Sequence, residues 1–361
     1  MPYTKEEKAA IWLDSFGLDR AKKAQVAAAA GSAWELARRF PSLRAAVTAI
    51  AGEECCARME ESLASGGYLG GLLDGYARRG IRCVTYHSPL YPSSLRALPE
   101  PPLVLYCKGR AELLGERKFA VVGSRRTPAA ILAVTEKFAA RLARCFVVVS
   151  GIADGGDAAA LQGALQGGAA IAVLPYGFDH VYPECNASLL ERVVQNGLAV
   201  SEYLPQEGPR TFRFLARNRI IAGLAEGVLV VSGGLRSGTR STAEKAYEYG
   251  KDVFAFAYPP GVAEGAGCNA LIKQYAKLTD DLVDIGLVYG INLTETEDEA
   301  SAEELSAAER AVLDALAGGE LHVHEIAGKC GLAPHELAPV LTLLEMKGRV
   351  AACGGNRYAP V

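Results

Sequence analysis

The sequence predicts an α/β protein built on a doubly wound, Rossmann-like parallel sheet, with a helical module before it and a winged-helix domain after it. The first observation is a repeated unit of a short apolar run, a Gly- or Ser-containing turn and a helix between residues 119 and 261. The second is that these runs are apolar throughout, as in parallel strands covered on both faces. The third is a final segment patterned as three helices and a hairpin. Right-handed crossovers between the repeated units give the doubly wound arrangement.

Length and composition place the chain among globular proteins with more than one domain. At about 150 residues per domain, 361 residues suggest two or three units. Hydrophobic residues make up 50% of the chain and charged residues 22%, which excludes global disorder because such a chain buries a large core. The expected units are a helical module of helix-hairpin-helix or SAM type at 1–75, the Rossmann-like domain at 76–290, an acidic linker at 291–305 and the winged-helix domain at 306–361.

The first unit has a helical pattern. Trp12 and Phe16 are followed by an Ala-rich run at 21–30 and by Trp34. The turn around Gly17 resembles that of a helix-hairpin-helix motif, but it holds only one glycine. A simple helical packing module is therefore favoured.

The second unit begins with two β-like runs, at 81–85 and 103–106, and continues with the repeated units. In the first repeat Thr127 precedes Pro128, which predicts a helix with Thr as its N-cap and Pro at its first position. The expected strands of the repeats are the apolar runs 119–122, 146–149, 170–174, 198–200, 228–231 and 253–256.

The end of the chain combines an acidic stretch with a small domain. Residues 294–304 contain six acids and no base, which is typical of a solvated linker. Three helices and a hairpin with a Gly-Gly turn then suggest a winged helix. This domain carries five bases and six acids, which argues against tight contact with phosphates. A protein-contact or regulatory role is favoured over DNA reading.

The net charge of −3 argues against a nucleic-acid ligand only as an average. Residues 108–126 carry a net charge of +4 and residues 208–251 a net charge of +5. Both stretches belong to the sheet domain, so any attraction for a phosphate chain is local to that domain.

Several classes of protein are excluded by missing motifs. No GxxxxGK[ST], GxSxG or HExxH pattern occurs, and no GxGxxG follows a strand, so no cofactor, no metal and no enzymatic activity are expected. Asp154 and Asp157 are either a metal-binding pair or helix caps, and capping is favoured. No run of eighteen apolar residues predicts a membrane span. The charged N-terminus and nine scattered cysteines predict a cytoplasmic protein with reduced thiols.

Gly, Ser and Arg residues collect where the predicted strands end, and together they form a candidate anion site. Ligands of parallel α/β sheets bind outside the carboxyl ends of the strands, where helix N-termini present free amides. Arg217 and Arg219 lie about 200° apart on a regular helix, so both face one ligand only if the first turn is irregular. Otherwise one arginine is structural. The expected phosphate- or DNA-binding residues are Gly123, Ser124, Arg125, Arg126, Ser150, Gly151, Gly177, Arg217, Asn218, Arg219, Ser237, Gly238 and Thr239.

Short motifs run through the sheet domain in a fixed order. They are Tyr91-Pro92, Ala120–Arg125, Ser150–Ala153, Ile171–Leu174, Ser201-Glu202, Arg217–Leu224, Ser237–Thr239 and Gly267–Asn269. The block Arg217–Leu224 is the most specific of them. This ordered set, over about residues 90–285, resembles the DNA-processing protein A (DprA/Smf) family of bacterial transformation and recombination proteins. One departure is Ser232, where the family usually carries an acid.

The resemblance implies an extended Rossmann fold, a homodimer and binding of single-stranded DNA. It also implies protection of incoming DNA and loading of the RecA recombinase during natural transformation. Helical N-terminal and winged C-terminal modules occur in the family. Since single strands also need surfaces on which bases stack, Phe214, Tyr176 and Phe178 are candidates for that role.

Two alternatives use the same Rossmann-like site. Gly233-Gly234, Thr239 and Glu244 resemble the PGGxGTxxE loop of nucleotide phosphoribohydrolases, although the spacing differs and the proline is absent. The other alternative is a nucleotide-sensing regulator whose winged domain contacts DNA.

Overall fold

The computed structural model describes residues 3–293, 306–346 and 349–360. The chain divides into two compact units, Met1–Leu293 and Thr294–Val361. The predicted linker lies outside the described residues from position 294 onward, and the predicted domain boundaries remain predictions.

The first unit contains fourteen helices among its described residues and a nine-stranded sheet. The helices are α1 (Lys5–Asp14), α2 (Arg20–Ala30), α3 (Ala33–Arg38), α4 (Phe40–Ala51), α5 (Glu53–Ala64), α6 (Tyr68–Arg78), α7 (Ser93–Arg96), α8 (Ala129–Leu142), α9 (Gly156–Gly167), α10 (Ala187–Asn196), α11 (Thr211–Leu224), α12 (Gly238–Glu248), α13 (Ala266–Gln274) and α14 (Leu282–Tyr289). The strands are β1 (Arg82–Thr85), β2 (Val104–Gly109), β3 (Lys118–Val122), β4 (Val147–Ser150), β5 (Ala170–Leu174), β6 (Leu198–Ser201), β7 (Gly227–Val230), β8 (Asp252–Ala255) and β9 (Lys277–Leu278).

The first six helices form the helical module, which packs on the sheet. Thr4 and Glu7 form a capping box that starts α1, because each side chain accepts the backbone N–H of the other residue. At the other end of α1, the buried Asp14 carboxylate accepts hydrogen bonds from Tyr106 Oη in β2 and from Lys23 Nζ in α2, both at 2.7 Å. This carboxylate therefore joins the first two helices to the sheet.

The strand order is β1-β2-β6-β5-β4-β3-β7-β8-β9. In the spatial run β6-β5-β4-β3-β7-β8-β9, each strand pairs in parallel with its neighbours. Strand β2 is antiparallel to both β1 and β6. The chain therefore winds outward from β3 through β4, β5 and β6, and then returns past β3 to β7, β8 and β9. The predicted doubly wound, extended Rossmann-like sheet is confirmed. Its topological switch point lies between β3 and β7, where such sheets bind ligands.

The two edges of the sheet differ. At one edge the backbone N–H of Cys83, in β1, donates to Tyr3 Oη at 3.1 Å. At the other edge β9 has only two residues, and Lys277 pairs there with Asp252 of β8.

The sheet core follows from the apolar runs. Every residue of β3, β4, β5, β6 and β7 is buried, because helices cover both faces of these strands. One helix start differs from the prediction. The helix after β3 begins at Ala129 with Pro128 as its N-cap, whereas Thr127 Oγ1 donates to the Ser124 carbonyl at 2.8 Å. Thr127 closes the turn after β3 and does not cap the helix.

The second unit has the winged-helix arrangement that the sequence predicts. Its described elements are α15 (Ala307–Leu316), β10 (Leu321–His322), α16 (Val323–Cys330), α17 (Pro334–Met346), β11 (Val350–Gly354) and β12 (Arg357–Pro360). Gly354, Gly355 and Asn356 turn the hairpin with positive φ angles of 85°, 58° and 58°. A small core of Val312, Leu316, Ile326, Leu337 and Leu341 holds the three helices together.

Candidate functional site

A cleft of about 290 Å³ opens at the carboxyl ends of the parallel strands, at the switch point between β3 and β7. The turn after β3, the start of α9, the middle of α11 and the start of α12 surround it. The residues that line the cleft are Val122, Gly123, Ser124, Arg125, Ala153, Asp157, Phe214, Leu215, Arg217, Asn218, Ile221, Ser237, Gly238, Thr239 and Thr242.

The back of the cleft is formed where two strand-ending turns touch. An ideal Cβ on Gly123 would lie 2.7 Å from Gly156 Cα, so the two turns approach backbone to backbone. The Gly123 N–H donates to Asp157 Oδ1 at 3.1 Å, and the Gly156 N–H donates to the Ser124 carbonyl at 3.1 Å. These bonds fix the first turn against the N-terminus of α9.

Ser232, which follows β7, also holds the first turn. Its Oγ accepts the Ser124 N–H at 2.9 Å and lies 3.2 Å from Ser124 Oγ. An uncharged hydroxyl thus provides the acceptor that fixes the Ser124 backbone N–H.

Arg217 is the buried cation of the cleft. Its guanidinium donates to the Val173 carbonyl, and its Nε donates to Asn218 Oδ1 at 3.2 Å. Burial lowers the pKa of Arg217 from its ordinary value, and the neighbouring Asp157 opposes that shift. Burial likewise raises the pKa of the Asp157 carboxyl, against the influence of Arg217. Arg217 is therefore held in place before any ligand arrives.

Arg219, by contrast, does not line the cleft. α11 is an α-helix throughout Thr211–Leu224, so its turns direct Arg217 and Arg219 to different sides. The Arg219 guanidinium forms a buried ion pair with Glu202, which follows β6. Arg219 therefore lies in a buried ion pair away from the cleft, as expected if only one of the two arginines faces the ligand.

Arg125 and Phe214 form the mouth of the cleft. The Arg125 guanidinium is exposed and lies over the Phe214 ring at 5.4 Å from its centroid. Phe214 also contacts the exposed ring of Tyr182 edge-on, with 5.7 Å between the centroids. A positive charge and aromatic surface therefore stand side by side. Arg126 is exposed on the same turn but does not line the cleft.

The N-terminus of α12 closes the cleft from the β7 side. Ser237 is its N-cap and accepts the Thr239 N–H at 3.2 Å. Asn218 Nδ2 donates to the Gly238 carbonyl at 3.1 Å, which ties α11 to this turn. The free amides of the first turn of α12 present partial positive charge at the cleft.

Three predicted residues support the turns without lining the cleft. Ser150 is fully buried and its Oγ donates to the Val121 carbonyl at 2.7 Å. The Gly177 N–H donates to the Glu207 carbonyl at 2.8 Å, and the chain is too close there for a side chain. Gly151 lies directly behind Asp157 and Arg217.

The aromatic candidates for base stacking also divide into residues that line the cleft and residues that do not. Tyr176 is fully buried and Phe178 does not line the cleft, so neither offers it a stacking face. Of the three aromatic candidates, Phe214 is the one that lines the cleft. Tyr182, which was not a candidate, contacts the Phe214 ring. Tyr182 belongs to a Tyr-Pro pair in the sequence, but no periodicity indicates that its ring reaches α11.

The acids at the second turn are not arranged as a metal pair. Asp154 is exposed and accepts its neighbour's Gly155 N–H at 2.9 Å, whereas Asp157 is buried and bonded to Gly123. Among the described residues no three His, Cys, Asp or Glu side chains are grouped as metal ligands. Within the same residues, no helix is both long and apolar enough to cross a membrane.

Comparison with models of known protein families shows to which family the chain belongs. The family model described as DNA recombination-mediator protein A matches residues 82–288, and a model of the DprA winged helix domain matches residues 296–356. The chain belongs to the DNA recombination-mediator protein A family. The fold and the ordered motifs of the sheet domain agree with this assignment, as the resemblance implied.

Individual members of the DNA recombination-mediator protein A family share much of the chain. A putative DNA processing protein DprA from Mycobacterium tuberculosis is 38% identical over 301 residues, which cover 78% of this chain and 77% of the relative. The crystal structure of DprA from Streptococcus pneumoniae matches with a TM-score of 0.65 and 32% identity, over 81% of this chain and 99% of that one. A Helicobacter pylori DprA structure, described as showing a single-stranded DNA binding mode, matches with a TM-score of 0.53 and 31% identity over 58% and 98%.

The close packing behind the cleft leads to a first prediction. An ideal Cβ on Gly151 would lie 2.1 Å from Asp157 Oδ2 and 2.8 Å from Arg217 Nη2. Gly151→Ala should therefore destabilise the protein by about 1–3 kcal/mol, as overpacking does, in a chemical unfolding experiment. Gly75→Ala is the control, because nothing lies within 4 Å of that position in α6. Equal stability of the two variants would contradict the packing argument.

Proposed function

We propose that this chain binds single-stranded DNA in the cleft, with a phosphate at the N-termini of α9 and α12 and a base on Phe214. The observation that carries the proposal is the Arg125–Phe214 pair at the mouth of the cleft. The exposed Arg125 guanidinium offers a charge for the phosphate of a nucleotide, and the half-buried Phe214 ring beside it offers a stacking face for the base. Membership of the family and the single-stranded DNA binding of the Helicobacter pylori neighbour support this function.

Within that function, the chain protects incoming single strands and loads the RecA recombinase onto them during natural transformation, in the cytoplasm. The role is one of binding and not of catalysis. Glu244, the acid that a phosphoribohydrolase would need, does not line the cleft and pairs with Arg240 on the surface of α12. The enzymatic alternative is therefore not favoured, and the winged-helix domain is assigned to protein contacts.

The proposal is tested by fluorescence anisotropy with an oligo-dT strand and a duplex of equal length. We expect tighter binding of the single strand and weaker binding as salt rises, because phosphate contacts release counterions. Removal of residues 294–361 should leave this binding intact, since the cleft lies wholly in the first compact unit. Equal affinity for both DNA forms, or loss of binding in the truncated chain, would argue against the cleft as the DNA site.

The homodimer is proposed on the surface formed by β9 and α14. Leu278, Val283, Leu287 and Val288 are exposed apolar side chains in these neighbouring elements, and Leu287 is 78% exposed. Exposed apolar clusters of this kind mark protein interfaces. Leu287→Glu should shift the protein from dimer to monomer in sedimentation equilibrium, because a charge cannot be buried there without a partner. Leu63→Glu, in α5, should leave the dimer unchanged, and a wild-type monomer would refute the proposal.

A further inference from the structure

The loop after β5 carries three rings at alternating positions, Phe178, His180 and Tyr182. It begins at the carboxyl end of β5, on the same edge of the sheet as the cleft and on the side of the cleft that leads to β6 and β2. The Tyr182 ring is 40% exposed and contacts the Phe214 ring at the mouth of the cleft. The surface of the loop is therefore continuous with the cleft at Tyr182.

Hydrogen bonds hold this loop against the segment that follows β6. The Asp179 N–H donates to the Pro205 carbonyl at 2.9 Å, and His180 Nε2 donates to the Gln206 carbonyl at 3.0 Å. The carbonyl of Tyr182 accepts the hydroxyl of a buried tyrosine at 2.8 Å. The loop is therefore ordered before a ligand arrives, which lowers the entropic cost of binding to it.

A lysine stands at the end of the loop that is far from the cleft. Lys108, in β2, is half-buried, and its Nζ lies over the Phe178 ring at 5.3 Å from the centroid. Asp179, the acid of the loop, is paired with Arg79 at 2.7 Å. Lys108 itself has no carboxylate partner in the part of the chain that the structure describes, so its charge is available to an anion.

The two ends of the loop repeat one arrangement. Arg125 lies over Phe214 at the cleft, and Lys108 lies over Phe178 at the far end. Phe178 and Tyr182 are four residues apart, so their Cα atoms are separated by at most about 14 Å. Successive phosphates of one stacked strand are about 3.4 Å apart along its axis, so a few nucleotides cover this distance.

We infer that a single strand bound in the cleft continues along residues 178–182 toward β2, with a base on the Tyr182 ring and a phosphate at Lys108 Nζ. This path rests on the proposed function and gives the bound strand a direction and a second phosphate contact. The opposite exit passes Arg236, an exposed cation in the turn before α12. The exposed side chain beside it is Leu235, which offers no ring for a base.

The path is tested with the full chain and oligo-dT strands of about 2 to 12 nucleotides, which reach the usual site sizes of single-strand binding. Lys108→Ala should weaken the longest strand about three- to tenfold and lower the slope of log K against log salt by about 0.7, the value for one phosphate contact. The dinucleotide should change by less than about twofold, because it is too short to reach Lys108 from the cleft. Lys108→Arg should restore the slope, and Arg236→Ala should keep the wild-type gain in affinity with length.

Tyr182→Trp reports on the middle of the path. A base stacked on this position should quench the fluorescence of the variant when oligo-dT binds, whereas Leu63→Trp, at an exposed position of α5, should not be quenched. Equal responses of the two variants would argue against a base on Tyr182.

The variants separate the path from the cleft. If Lys108→Ala leaves the longest strand unchanged or weakens all lengths alike, or if Arg236→Ala abolishes the gain with length, the path along the loop is overturned. The dinucleotide reports on the cleft alone, so the proposed function fails if Arg125→Ala does not weaken it. A loss in Arg125→Ala without a length-dependent loss in Lys108→Ala leaves the cleft as the DNA site and refutes only the path.

Discussion

Replacing Arg125 and Phe214 together with alanine should weaken binding of single-stranded oligo-dT by about tenfold to a hundredfold. The Arg125 guanidinium lies on the Phe214 ring at the mouth of the cleft, so the double variant removes a phosphate contact and a stacking face at once. Stacking alone contributes about 1–3 kcal/mol per base in single-strand complexes. The measurement is the dissociation constant by anisotropy at fixed salt, with the salt dependence recorded for each variant.

The matched control for this prediction is Arg117→Ala. Arg117 also lies over a phenylalanine, at 4.7 Å from the Phe146 centroid, and it immediately precedes β3, at the end of the strand opposite the cleft. It carries the same charge and the same type of ring contact, so a general loss of positive charge would affect both variants alike. Equal affinities of Arg117→Ala and the double variant would exclude the cleft as the binding site.

Replacing Arg219 with methionine should lower the free energy of unfolding by about 3–5 kcal/mol. Its ion pair with Glu202 is almost fully buried, and removal of one partner leaves the other charge buried and uncompensated. Unfolding by urea, followed by circular dichroism, measures the change. The oligonucleotide affinity of the protein that remains folded should stay unchanged, because Arg219 does not line the cleft.

The double variant Arg219→Met with Glu202→Leu tests the cause of that loss. Removal of both charges should restore much of the stability, since apolar replacements of a buried pair are often neutral. The exposed pair Arg117–Glu226 provides the comparison, and Arg117→Met should cost no more than about 1 kcal/mol. A loss of DNA affinity in folded Arg219→Met would place this arginine in the site after all.

The fold was predictable because its signal is local. Six apolar runs, four of them followed directly by Gly or Ser, correspond to strands β3 to β8, since strands buried on both faces are apolar along their whole length. The angular argument on Arg217 and Arg219 also needed only the helix period. It predicted that a regular helix leaves one arginine structural, and the pairing with Glu202 identifies which one.

Long-range contacts account for what the sequence did not indicate. Nothing in the spacing shows that Tyr182 reaches Phe214, or that Ser150 turns its hydroxyl to the β3 carbonyl of Val121 and away from the cleft. Thr127 has the residue type and position of an N-cap, yet its hydroxyl is used by Ser124. In each case the contact partner depends on which strands and turns are adjacent in the folded chain. Residue propensities alone do not predict that adjacency.

The edges of the sheet have a consequence for how the protein behaves at high concentration. An open strand edge is a template on which another chain can add a strand and begin to aggregate. At the β1 edge, the Tyr3 hydroxyl accepts the hydrogen bond of the Cys83 backbone N–H. At the other edge, β9 has only two residues, one of which is a lysine. Neither border gives a second molecule a long, flat strand to extend. Self-association of the first unit must therefore proceed through side chains, and growth into fibres by sheet extension is disfavoured.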